Sequence, residues 1–131
     1  MPKELPEAIA RFIRRYIVSL EQLELLLLLS SAPKHAKTVQ ALYDEIRSNP
    51  ESIRRRLDQL VAQGLVQVTS DAVPRYQYNP GTPELHAAVQ QLAIAYKEHR
   101  VQVIEHIFAE PPSPIQGFAD AFRIRKDPSN G

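Results

Sequence analysis

The chain contains no cysteine, only four glycines among its 131 residues, and no excess of either charge. Without cysteine there is no disulfide framework, no thiolate zinc site and no thiol catalysis, which fits a reducing compartment. The longest apolar run, around Leu25–Leu29, is far short of the roughly 20 residues a membrane-spanning helix needs. The opening MPKELPEAIARF lacks the basic region followed by an apolar core that marks a secretory leader, so a cytoplasmic location is expected and no membrane partner. Glycine-rich phosphate loops, a GxSxG elbow, Walker sequences and HExxH spacing are all missing, so neither an enzyme nor a cofactor is expected. Sixteen Lys and Arg against fifteen Asp and Glu leave a net charge of +1. A nucleic-acid binder need not be basic overall, but it must concentrate its basic charge locally.

What is present suits one domain over residues 1–131, with 44% hydrophobic residues for its core. Eleven prolines supply most of the punctuation. From Leu5 to Leu29 the pattern is helical: Leu5, Ala8, Ile9, Phe12, Ile13, Tyr16 and Ile17 recur at helical steps, with Arg11, Arg14 and Arg15 on the other side. Ser19 has the position of an N-cap for a second helix, apolar almost all round and therefore central to the core. Pro33 stops it. Thr38 is placed to cap a third helix carrying Val39, Leu42, Tyr43 and Ile46 on one face.

The stretch Ser48–Asn79 holds the most information. Ser48 and Glu51 have capping-box spacing, and Pro50 falls in the first turn, where its missing N–H costs nothing. Ile53, Leu57, Leu60 and Val61 form a buried stripe, and Gly64 supplies a left-handed stop. Leu65–Val68 and Arg75–Tyr78 read as strands around a polar turn. Three helices followed by two strands make a winged helix-turn-helix, mainly α with a small β-hairpin. In that design the third helix enters the major groove. Opposite its apolar stripe, Ser52, Arg55 and Gln59 are placed for base edges, with Arg54 and Arg56 on the flanks for phosphates and Arg75 on the wing. Glu51–Arg55 and Arg54–Asp58 also have i,i+4 spacing, but such pairs are worth only about 0.2–0.5 kcal/mol. From Arg47 to Pro80, five Arg minus three acidic residues give +2, a modest patch that favours presentation in duplicate.

After the NPGTP break a long helix is expected from about Glu84 to Phe108. One stripe carries Leu85, Val89, Leu92, Tyr96, Val103 and Ile107; a second, Ile94, Val101 and Phe108, lies nearly opposite. Two apolar seams need two partners, the chain's own domain and a second subunit, so both are candidates for a homodimer interface. His35, His86, His99 and His106 show no metal-ligand spacing, and no metal is expected. Ile115, Phe118, Ala119 and Phe122 mark a short amphipathic helix after the prolines at 111–114, followed by a polar tail. The expectation is that it folds back over the N-terminal helix or a partner subunit, the alternative being a docking peptide for another protein.

The segment TVQALYDEIRSNPESIRRRLDQLVAQGLV resembles the winged helix-turn-helix of MarR- and PadR-like bacterial transcriptional regulators. The stretches SLEQLELLLLL, AYKEHRVQVIEHIF and FADAFRIRKD are also similar to a group of small bacterial winged-helix proteins. The resemblance implies a cytoplasmic homodimer that binds double-stranded DNA and regulates transcription. It has a winged helix-turn-helix over 19–79, flanking N- and C-terminal dimerisation helices, the latter over 84–109, and a short helix and tail over 115–131. Carried across, its reading residues are Ser52, Arg54, Arg55, Arg56 and Gln59, with Arg75 on the wing. The wing departs from the family in carrying a single Arg. An effector pocket between the winged domain and the long helix is compatible with this reading, but the sequence names no ligand. The alternative function is a winged-helix module that contacts other proteins without binding DNA, motivated by the near-neutral charge and the thin wing.

Overall fold

The computed structural model describes residues 5–109; the short helix expected at 115–122 lies outside them. Six helices and three strands follow in the order α1 (Glu7–Tyr16), α2 (Leu20–Ser30), β1 (Lys37–Thr38), α3 (Val39–Ile46), α4 (Pro50–Ala62), β2 (Val66–Val68), β3 (Arg75–Tyr78), α5 (Pro83–Glu98) and α6 (Arg100–Phe108). The architecture is mostly helical with an antiparallel hairpin, as the sequence predicts.

Helix α2 is the hub. Ser19 caps it by accepting a hydrogen bond from the Gln22 amide. Leu23, Leu25, Leu26 and Leu29 are all fully buried, because α2 packs on α3, α4, α5 and β3 at once. A side chain of that size gains about 1.5–3 kcal/mol on full burial, so this run is a large part of what holds the surrounding elements together. Gln22 is the one described polar residue buried with them. Its amide accepts from Val18 N at 2.6 Å and donates to Tyr16 O at 2.9 Å and Gln63 Oε1 at 3.0 Å. The α1–α2 turn is thereby clamped to the end of α4, with every polar atom of the amide satisfied.

The sheet has the order β1-β3-β2. Strand β1 is an addition to the expected hairpin: two residues, with Lys37 opposite Tyr76 and Thr38 opposite Arg75. A segment that short has no period to betray it. On β3, Tyr76 and Tyr78 turn inward while Arg75 and Gln77 face out, the alternation a half-buried strand requires.

The expected continuous helix over 84–108 is interrupted. His99, at φ −136° and ψ 52°, ends α5 and starts α6. No Pro or Gly signals this joint. Packing holds it: α6 lies on α1, Val103 is fully buried, and the Tyr96 hydroxyl donates to Glu24 Oε2 at 3.1 Å. The Arg100 guanidinium stacks 4.6 Å over the Tyr96 ring and lies 3.8 Å from the same carboxylate. Burial raises the Tyr96 hydroxyl pKa, and the neighbouring Glu24 adds to the shift.

The two seams part company. Val89, Leu92 and Val103 are fully buried in the protomer's own core, with Leu85, Tyr96 and Ile107 packed against it. Val89, Leu92 and Val103, expected at a dimer interface, are thus spent on the protomer's own core. Ile94, Val101 and Phe108 remain 53%, 65% and 68% exposed.

Candidate nucleic-acid interface

The turn from α3 into α4 sets the reading helix. Arg47 closes α3 in the left-handed region at φ 61°, and only residues 47–49 separate it from α4. The cap of α4 is Asn49, whose side chain accepts from Ser52 N at 3.1 Å, with Pro50 at the first position. Ser48, expected as the cap, has another role. Asn49 serves because the helix begins at Pro50, which puts Asn49 rather than Ser48 at the residue directly before the first turn, where a side-chain oxygen meets its free amides. Ile53, Leu57 and Leu60 are fully buried, and Gly64, at φ 78°, turns the chain into β2.

On the outer side of α4 the polar residues divide into two groups. Ser48 Oγ and Ser52 Oγ each donate to the Glu21 carboxylate of α2 at 2.5 Å, and Arg56 Nε lies 3.4 Å from the same group. Arg56 Nη1 also donates to Gln59 Oε1 at 3.4 Å. Burial pushes the Glu21 carboxyl pKa upward, but the hydrogen bonds from Ser48, Ser52 and Arg56, with the Arg56 charge, outweigh it and leave the group below its ordinary value. Ser52 and Arg56, expected toward DNA, are thus turned to a neighbouring helix.

The second group is open to solvent. Arg55 is exposed and makes no side-chain hydrogen bond or ion pair with any described residue. The i,i+4 pairing with Glu51 does not form. Arg54 instead meets Glu51 at 3.4 Å, both side chains being more than half exposed. Such a contact is worth about 0–1 kcal/mol, too little to hold Arg54 from another anion. Asp58 accepts from the Tyr76 hydroxyl at 3.3 Å rather than from Arg54; burial, then Asp58, raises the Tyr76 pKa.

The wing is closed by Thr69, whose amide donates to Arg75 O at 2.9 Å and whose hydroxyl accepts from Arg75 N at 3.1 Å. The Arg75 side chain is exposed and unpaired among the described residues. At the base of the wing the Tyr78 hydroxyl lies 2.9 Å from His86 Nδ1, and burial pushes its pKa up to about 12. Among the described residues no group of three His, Asp or Glu could hold a metal ion, and no helix is long and apolar enough to cross a membrane.

Glu21 and Gln22 escaped the sequence reading. Only the i,i+4 spacing of Ser52 and Arg56 on α4 was visible in the sequence; their acceptor lies on a helix 31 and 35 residues away.

No protein-family model matches the chain, and no curated protein matches it in sequence. Solved structures do match. MepR, a transcription regulator of the Staphylococcus aureus multidrug efflux pump MepA, superposes with a TM-score of 0.54 at 13% identity, over 95% of this chain and 87% of that one. The adhesin competence repressor AdcR of Streptococcus pyogenes gives 0.51 at 16% identity, over 89% and 84%. A variant of S. aureus MepR bound to an oligodeoxyribonucleotide gives 0.54 at 12% identity, over 95% and 87%. The fold is that of the MarR-family winged-helix regulators.

Proposed function

We propose that the protein is a transcriptional regulator that binds double-stranded DNA as a homodimer, reading the major groove with α4. The observation that carries this reading is Arg55, an exposed guanidinium, unpaired among the described residues, on the outer face of a capped helix. Its fold is shared with regulators, one of them bound to DNA. Arg55 suits bidentate contact with a guanine edge. Arg54, held only by a solvent-exposed pair, and Arg75 on the wing suit phosphates, with Gln59 flanking the reader. The exposed seam of Ile94, Val101 and Phe108 supports pairing of two chains.

The test is fluorescence anisotropy with a labelled duplex at low salt. The wild-type chain is expected to bind, with affinity falling steeply as salt rises because each neutralised phosphate releases counterions. The double substitution Arg54→Ala/Arg55→Ala is expected to abolish binding with an unchanged circular dichroism spectrum. Undiminished binding by the double variant contradicts the assignment of α4.

A further inference from the structure

Ser52 and Arg56 stand four residues apart on one side of α4, and Ser48 lies in the turn just before its cap. All three converge on a single carboxylate brought from α2: Ser48 on Oε2 and Ser52 on Oε1, each at 2.5 Å, and Arg56 Nε on Oε1 at 3.4 Å. This cluster differs in kind from the Arg54–Glu51 contact on the same helix. The Glu21 side chain keeps only 16% of its exposure and Arg56 25%, whereas Arg54 keeps 59%. Two serine hydroxyls anchor the carboxylate, so it does not swing aside as an exposed surface partner does. The Arg56 charge is therefore cancelled within the protein, beside a residue, Arg55, whose charge is not.

We propose that Glu21 is a specificity-determining residue that masks Arg56: it keeps one potential phosphate contact out of the DNA interface and leaves sequence reading to Arg55. The proposal rests on the DNA-binding reading above. Its physical content is simple. A guanidinium on a phosphate strengthens binding to every duplex alike, because phosphates carry no sequence information. Each such contact adds about 0.9 to the slope of log affinity against log salt. Masking Arg56 lowers affinity for arbitrary DNA while leaving base contacts untouched, so it widens the ratio between the preferred site and the rest. The depressed carboxyl pKa of Glu21 keeps the mask charged across the neutral range.

The experiment uses the full chain and two duplexes: one selected from a random-sequence pool by the wild-type protein, and the same duplex with its sequence shuffled. Affinities are measured from about 50 to 200 mM salt, the range over which phosphate contacts express themselves. E21Q is expected to steepen the salt slope by about 0.9 per bound chain on both duplexes, to tighten binding to the shuffled duplex, and to shrink the ratio between the two. R56Q alone is expected to keep the wild-type slope, and E21Q/R56Q to return to it. A role confined to stability predicts the opposite for E21Q, weaker binding and no steeper slope. An unchanged slope in E21Q overturns the proposal. So does a slope lowered by about 0.9 in R56Q, a result readable even if E21Q fails to fold, because it places Arg56 on a phosphate already. If the wild-type chain binds neither duplex at low salt, the DNA-binding reading itself falls; if it binds and selects, only the masking is at stake.

Discussion

Glu21 and Gln22 occupy the first turn of α2 and do opposite things with similar reach. Gln22 turns inward and satisfies the backbone of the α1–α2 turn together with Gln63. Glu21 stays at the margin and gathers donors from α4. Its depressed pKa has a signed consequence. A carboxyl held below its ordinary value when folded contributes stability that is complete above the unfolded value, about 4.3, and disappears as pH falls through the folded one. Melting temperatures of wild type and E21Q should therefore differ most near neutrality and converge as pH falls below the folded pKa; a gap that stays constant with pH speaks against the ionised cluster. At this scale the sequence showed what was local. The caps Ser19 and Thr38 and the outward projection of Arg55 follow from neighbours a few residues away. The hold of Glu21 on Ser48, Ser52 and Arg56 spans 27, 31 and 35 residues, and no period in the chain encodes such a pairing.

Among the elements, the reading helix is defined by its ends. Asn49 and Pro50 start it, and Gly64 stops it at φ 78°. A Cβ at Gly64 meets nothing within 4 Å, so Gly64→Ala is penalised by backbone conformation alone. Roughly 1–2 kcal/mol is the cost of a left-handed Cβ, and urea unfolding should show a loss of that size with no change in the denaturant slope. A loss near zero would mean that the turn relaxes out of the left-handed region. Stop and apolar stripe were both legible because each is a local or periodic signal. Two features were not. Strand β1 is two residues long, and the α5–α6 joint at His99 has no proline or glycine. The joint depends on α6 lying against α1 and on Tyr96 and Arg100 meeting Glu24; these are tertiary contacts, invisible to a helical period that runs straight through them.

For the molecule as a whole, the two-seam pattern translated into two different fates. One seam completes the protomer's core; the other leaves Ile94, Val101 and Phe108 largely exposed at seven-residue intervals. Ile94 lies on α5 and Val101 and Phe108 on α6, on either side of the His99 joint. Among the described residues, one unpaired Arg on the reading helix and one on the wing offer few phosphate contacts, so the proposed DNA-binding reading calls for two chains acting together. The absence of cysteine makes that geometry measurable. R55C introduces one labelling site per chain, and spin-label distance spectroscopy at tens of micromolar reports the separation of the two reading helices. The account predicts an interchain distance centred near one turn of B-DNA, roughly 34 Å, so that both helices reach successive major grooves on one face. No interchain distance, or one far from a helical turn, would contradict it.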